Sequence, residues 1–157
     1  MKGNDKVIEK LNDLLSDELT AISQYMVHGE MCDNWGYERL HEKVEKRAMD
    51  EMKHAEKLIG RIIFLEGIPM VSRLKKMLIG ADVEKQIKND TKSEEEAVLS
   101  YNDGIRLCVE LADNGSRELL ESILKDEEKH LDELEAQLDQ IKQMGIQLYL
   151  AEQIKKG

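Results

Sequence analysis

Two stretches of the chain repeat one another at a fixed offset of 76 residues, which constrains the fold more than any other feature. ELTAISQY, starting at Glu18, echoes EEEAVLSY, starting at Glu94, and DEMKHAEKL, starting at Asp50, echoes DEEKHLDEL, starting at Asp126. Glu18 therefore maps to Glu94, Ala21 to Ala97, Tyr25 to Tyr101, Asp50 to Asp126, Glu51 to Glu127, His54 to His130 and Leu58 to Leu134. Around these segments apolar residues recur at alternating intervals of three and four, the signature of a helix face packed in a bundle. The first such stripe is Ile8, Leu11, Leu15, Ile22 and Gly29, and the second is Val44, Ala48, Leu58, Ile62 and Leu65. Ile87, Ala97, Ile105 and Cys108 form the third, and Leu120, Ile123, Leu134, Leu138 and Ile141 the fourth. Two helical hairpins related by a pseudo-twofold axis would produce this pattern.

The punctuation between stripes gives the connections. Asn34-Trp35-Gly36 and Asp113-Asn114-Gly115-Ser116 read as turns, so helices one and two form one antiparallel pair and helices three and four another. Asp5 is the expected cap of the first helix. Glu66 to Ala81 holds Gly67, Gly80 and the single proline, Pro69, and reads as a long connection. Extended, it could reach about 50 Å, enough to run beside a helix of some thirty residues, about 45 Å long. Met144-Gly145 ends the fourth helix, and a short amphipathic piece with Leu148, Tyr149 and Ile154 follows. The expected fold is all-α: a four-helix bundle with a long crossover between helices two and three, plus a short fifth helix. One domain spanning residues 1–157 is expected at this length. Aromatic residues make up only 4% of the chain, so the core must be aliphatic and methionine-rich.

Charge and cysteine usage narrow the function. The net charge of −10 argues against a nucleic-acid binder, which needs a basic face. No apolar run approaches membrane length and the N-terminus reads as polar, so neither a span nor a signal peptide is expected. Cys32 and Cys108 sit in no metal-type spacing and read as small apolar residues in a reducing compartment.

Four glutamates interrupt the apolar seams, one per helix: Glu18, Glu51, Glu94 and Glu127. Buried carboxylates without partners are costly, and four together repel one another. Two divalent metal ions carry the charge that balances them while His54 and His130, each one turn from a seam glutamate, stay neutral. A Glu-x-x-His pair alone is weak evidence, since Glu38-x-x-His41 fits it too and has no partner at the offset. All six residues together match the ligand pattern that defines the di-iron carboxylate bundles: a Glu from each of two helices and Glu-x-x-His from each of the other two. Mixed oxygen and nitrogen donors suit iron, manganese or zinc, and spacing does not choose among them.

With these residues in view, the sequence resembles the bacterioferritins, the haem-containing branch of the ferritin family. The likeness covers the whole chain: MKG-x-x-KVI at the start, LN-x-LL-x-x-EL-x-AI-x-QY around Glu18 and Tyr25, DEMKHAEKL, and FLEG-x-P before the crossover. It continues through LIG-x-D-V, S-R-x-L-L-x-x-I-L-x-D-E-E-x-H near Glu127, and QMGIQLYLAEQI at the family's short fifth helix. The resemblance implies a ferritin-like fold and a cytoplasmic, hollow shell of 24 subunits built from twofold dimers, possibly mixed with a paralogous subunit. It implies a ferroxidase: Fe(II) oxidised by dioxygen or hydrogen peroxide at an intrasubunit di-iron site and stored as ferric mineral. It further implies a haem of b type shared between two subunits that assists iron release, and an iron-reducing ferredoxin as partner. In its terms Glu51 and Glu127 bridge the metals, Glu18 with His54 serves one, and Glu94 with His130 serves the other. Met52 is the expected axial ligand of the haem. A second apolar surface formed by Leu19, Met26, Met49, Met52, Ile59 and Ile63 would bring it near its symmetry mate.

Other positions carry plainer expectations. The hydroxyls of Tyr25 and Tyr101 are expected to bond ligand carboxylates. Asp50 contacts iron on the inner surface in some relatives, where a histidine stands at the place held here by Lys46, and that departure puts an inner-surface iron site in doubt. His28 and His41 are expected at the surface. Two other readings of the same motifs are a haem-bearing iron reservoir whose dinuclear site is a stable cofactor, and a non-caged di-iron oxidase. A DNA-protecting mini-ferritin fits least, because such proteins place their ligands between subunits.

Overall fold

A computed structural model describes residues 1–155; the last two residues of the expected 1–157 domain lie outside the described residues. Four long helices form: α1 (Asp5–Asn34), α2 (Glu38–Phe64), α3 (Val83–Glu110) and α4 (Asn114–Met144), followed by a short α5 (Ile146–Gln153). Among the described residues there is no strand.

Three of the helix starts are fixed by a capping side chain. α1 is capped by Asn4, whose side chain accepts from the Lys6 N–H, so the cap lies one residue before the expected Asp5, which instead supplies negative charge to the first turn. Asp82 caps α3 by accepting from the Lys85 N–H, and Asp113 caps α4 by accepting from the Ser116 N–H. The expected turn at 113–116 is thus mostly the first turn of α4. Gly36, at φ 82°, makes the left-handed step between α1 and α2 that a Cβ would disfavour.

α1 packs against α2, α3 against α4, and α5 against α4 and α2. The four seams face inward, with Leu11, Leu15, Leu58, Ile62, Leu120, Ile123 and Leu134 at or near zero exposure. The apolar core is divided. One cluster, including Leu11, Leu14, Leu58, Leu120 and Ile123, fills one end, and another, including Cys32, Leu40, Val83, Leu134, Ile141 and Tyr149, fills the other. Between them lies a layer of buried charged side chains.

The crossover runs along α1. Asn12 donates to the Ile68 carbonyl at 3.1 Å and accepts from the Met70 N–H at 2.8 Å. The Lys75 N–H donates to Thr20 at 2.8 Å, the Leu78 N–H to Gln24 at 2.9 Å, and the Gly80 N–H to His28 Nε2 at 3.0 Å. A segment with no regular structure thus finds partners for its backbone on polar side chains placed at successive levels of one helix.

Candidate metal centre

The charged layer brings together all six seam residues. Glu18, Glu51, Glu94, Glu127 and the two histidines are each at most 4% exposed. They form two overlapping sets, Glu18–Glu51–His54–Glu127 and Glu51–Glu94–Glu127–His130, and in each set one ligand atom per residue lies within 4.8 Å of all the others. Glu51 and Glu127 belong to both.

The orientation of the imidazoles follows from their outer partners. His54 Nε2 lies 2.8 Å from Asp126 Oδ2, and His130 Nε2 lies 3.0 Å from Asp50 Oδ2. A carboxylate accepts, so Nε2 carries the hydrogen in each ring and Nδ1 turns a lone pair to the centre. This is the outer-partner arrangement that orients metal-binding histidines. There His54 Nδ1 stands 3.1 Å from Glu127 and 3.4 Å from Glu51, and His130 Nδ1 stands 3.2 Å from Glu51. Lone pair faces lone pair, an arrangement that needs a cation between.

Ten buried side-chain polar atoms lack a hydrogen-bond partner among the described residues, and six of them are Glu18 Oε2, Glu51 Oε1, His54 Nδ1, Glu94 Oε2, Glu127 Oε1 and His130 Nδ1. Each of the six residues contributes one. Buried polar atoms are ordinarily satisfied, so this concentration at one point marks a site built for ions. The donor set fits a pair of divalent metals: four carboxylates and two imidazoles, with both outer histidine partners in place.

Protons are the alternative cation. Burial, then repulsion from Glu18, pushes the Glu51 carboxyl well above its usual range; burial, then Glu18 and Glu51, does the same to Glu127. Glu94 departs the other way, because the neighbouring His130 and Glu127 side chains overcome its burial. Burial opposes charging of His54 and His130, but the surrounding carboxylates prevail and raise both. Without a metal ion these shifts favour protons at the centre, at the same atoms that could hold metal.

Two tyrosines close the layer. The Tyr25 hydroxyl donates to Glu94 Oε1, and the Tyr101 hydroxyl donates to Glu18 Oε1 at 2.5 Å. At the 76-residue offset these two bonds interchange, and so do the His54–Asp126 and His130–Asp50 pairs. Every one of the four joins one hairpin to the other. The repeat is therefore visible as a local twofold arrangement in which each half completes the site of its counterpart. The role of Asp126, and of Asp50 toward His130, was legible only as repetition, because the bond crosses between hairpins and leaves no spacing within one helix.

A cavity of about 410 Å³ between α1 and α3 touches Glu18, Glu51, Glu94 and Glu127 and extends to Asp17, Glu96 and Lys75. Glu96 and Lys75 are exposed, so the cavity connects the buried carboxylates with the surface.

Met52, in contrast, lies outside this centre. It is 43% exposed, on a face where Met26, Met49 and Ile63 are exposed as well, while Leu19 and Ile59 pack in part against the core. His41 is partly exposed, bonded to the Gly29 carbonyl at 2.9 Å. His28 departs from expectation: it is fully buried, with Nδ1 2.9 Å from Asp90. The Gly80 N–H can only donate, so Nε2 accepts and Nδ1 carries the hydrogen toward Asp90. The signal was available, since His28 lies one turn beyond Tyr25 on the same seam. Cys32 and Cys108 are buried and unpaired, as expected.

Comparison with known proteins places the chain in a family. A family model described as a ferritin-like domain matches residues 8–144. A bacterioferritin of Brucella melitensis biotype 1 is 43% identical over 95% of this chain and 92% of its own length. Those of Mycolicibacterium paratuberculosis and Rhodobacter capsulatus are each 40% identical, covering 99% and 94% of this chain and 98% and 91% of their own lengths.

Proposed function

Since the chain belongs to the ferritin-like family and within it to the bacterioferritins, we propose that it oxidises Fe(II) at the six-residue centre and stores the product as ferric mineral in a shell of 24 copies. The observation that carries this reading is the set of six orphaned ligand atoms, one on each of Glu18, Glu51, His54, Glu94, Glu127 and His130. Glu51 and Glu127 are shared between the two ligand sets and would bridge two substrate ions. Glu18 with His54 would hold one ion, and Glu94 with His130 the other.

Each of two Fe(II) ions gives up one electron. The pair passes to dioxygen, which with two protons becomes hydrogen peroxide, or to peroxide, which with two protons becomes two waters. The chain's part is positioning and charge. Asp126 and Asp50 fix the imidazoles with Nδ1 inward, and Tyr101 and Tyr25 restrain Glu18 and Glu94. The cavity between α1 and α3, with Asp17 and Glu96 along it, offers cations an acidic approach.

The exposed Met52 thioether, on an apolar face, would hold a haem shared across a twofold contact with a second copy. Haem would supply one-electron chemistry for returning stored Fe(III) to solution, with a ferredoxin as the electron donor. A single domain, a cytoplasmic location and a shell of one or two related subunits complete the reading. No helix among the described residues is long and apolar enough to cross a membrane.

The experiment is to follow Fe(II) loss in air for the purified protein and for Glu51→Ala. The expected result is rapid oxidation of about two Fe(II) per chain in the parent, and only the slow solution rate in the variant. An unchanged initial rate in Glu51→Ala would remove this centre from the chemistry. Light scattering at the mass of a single chain or a dimer would remove the shell.

A further inference from the structure

A second cavity, of about 200 Å³, lies between α2 and α4 on the far side of His130. Its lining includes four cationic side chains, Lys43, Lys46, Arg47 and Lys129. Lys43, Lys46 and Lys129 are exposed, and none takes part in an ion pair or hydrogen bond among the described residues. Arg47 is 6% exposed and its Nε–H has no hydrogen-bond partner, while its Nη1 reaches Asp90 only at 3.9 Å and its guanidinium lies over the Tyr25 ring.

Three carboxylates share the lining, but two are engaged. Asp50 faces His130 and Asp126 faces His54, through the bonds that orient the metal-binding rings. Three carboxylates thus stand against three ammonium groups and a guanidinium, one positive charge in excess, and the buried guanidinium is short of one acceptor. Burial, with the Arg39 and Arg47 charges, lowers the Lys43 pKa, and Glu133 offsets this only in part. The cavity is short of negative charge. Nor do its carboxylates converge as a cation site would require: among the described residues the metal-competent sets are the two of the central layer alone.

We propose that this cavity binds a tetrahedral inorganic oxyanion of the phosphate class. Lys46 and Lys129 would supply mobile charge at its open side and Arg47 a fixed donor at its base, a division that suits an ion with several acceptor oxygens. Lys46 is decisive, because an imidazole at that place beside Asp50 would favour a cation and an ammonium favours an anion. Binding concerns the metal-free protein as much as the loaded one, so the site stands or falls apart from the proposed iron chemistry.

The test is calorimetric titration of inorganic phosphate into the purified, metal-free full chain at pH 7 in dilute chloride, with sulfate as a second oxyanion. The expected result is saturable binding of one phosphate per chain, weakened at least tenfold in Lys46→Glu/Lys129→Glu and kept in Lys46→Arg/Lys129→Arg. Lys46→Gln alone, at an exposed position with no bonded partner, gives the same direction of change if the double reversal fails to fold. Absence of saturable binding, or equal binding in Lys46→Gln and the parent, overturns the proposal. So does a third Zn²⁺ per chain that disappears in Asp50→Asn, since the cavity would then be a cation site.

Discussion

Removing one charge from the central layer should stabilise the metal-free protein and destroy its response to metal. Glu127→Gln is the sharpest case, because Glu127 belongs to both ligand sets and stands within 4.8 Å of three other carboxylates and both imidazoles by ligand-atom distance. At that separation and an effective dielectric of about 20, each ionised like-charge pair costs roughly 3.5 kcal/mol. Three repulsions set against two imidazolium attractions leave about one such pair unfavourable. Protonation already relieves part of this, since the Glu127 carboxyl is pushed well above its usual range by burial and then by Glu18, Glu51 and Glu94. The expected gain for the neutral isostere is therefore about 1–3 kcal/mol, a rise in melting temperature of roughly 2–10 °C for a chain this long. Saturating metal should stabilise the parent by about 2.7 kcal/mol at a hundred times the dissociation constant, and the variant should lose most of that shift. The assay is a calorimetric or fluorescence melt, with and without Zn²⁺, on the parent, Glu127→Gln and Glu118→Gln. Glu118 is exposed on the same helix, so its variant should stay within about 0.5 kcal/mol of the parent in both conditions. If Glu127→Gln melts below the parent when metal-free, or keeps the full metal shift, the layer is not held together by bound cations.

Three further outcomes follow from the same geometry. Tyr25→Phe and Tyr101→Phe each strand a buried carboxylate oxygen and should cost about 1–3 kcal/mol in urea melts, with similar values because the two bonds are equivalent under the repeat; sharply unequal costs would refute that equivalence. Met52→Leu should abolish haem absorption on reconstitution while shifting the melt by less than about 0.5 kcal/mol, since the side chain is 43% exposed; intact bands would free Met52 from the ligand role. Adding Zn²⁺ to unbuffered metal-free protein at pH 7 should release protons, and apparent affinity should rise with pH, because His54, His130, Glu51 and Glu127 all have raised pKa values in the empty centre. For the two imidazoles the sign is that of a charge favoured by folding: their contribution to metal-free stability is full below about pH 6.5 and fades as pH rises through the raised values. Melts that gain stability above neutrality through these rings would contradict it.

The sequence carried the fold through periodicity and the centre through repetition. Glu18, Glu51, Glu94 and Glu127 were legible because each sits where a leucine would be expected, and His54 and His130 because one helical turn separates them from a seam glutamate. What stayed hidden depends on contacts between segments distant along the chain. Asp126 orients His54 from 72 residues away, and Asp50 orients His130 from 80. The anchorage of the crossover on Asn12, Thr20, Gln24 and His28 was hidden for the same reason: polar residues on a buried helix face read as surface until the connection that covers them is placed.

That anchorage also explains where the twofold pattern fails. At the 76-residue offset His28 corresponds to Gly104, Arg47 to Ile123 and Asp90 to Leu14. His28, Arg47 and Asp90 form a buried polar group at one end of the bundle, whereas a Cβ on Gly104 would meet Leu120 at 3.0 Å and Leu14 at 3.4 Å, inside the apolar cluster at the other. The crossover and α5 both lack a counterpart under the repeat, and the crossover enters α3 at the polar end, where the Gly80 N–H donates to His28 and Gln86 donates to the Gly80 carbonyl. Two hairpins packed by symmetry alone could carry leucine at both ends. The connecting chain turns into α3 at the polar end, where the Gly80 backbone is buried, and buried backbone groups need partners. The polar group at that end thus answers the buried backbone of the crossover, while the central layer keeps the twofold pattern because its bonds run directly from one hairpin to the other.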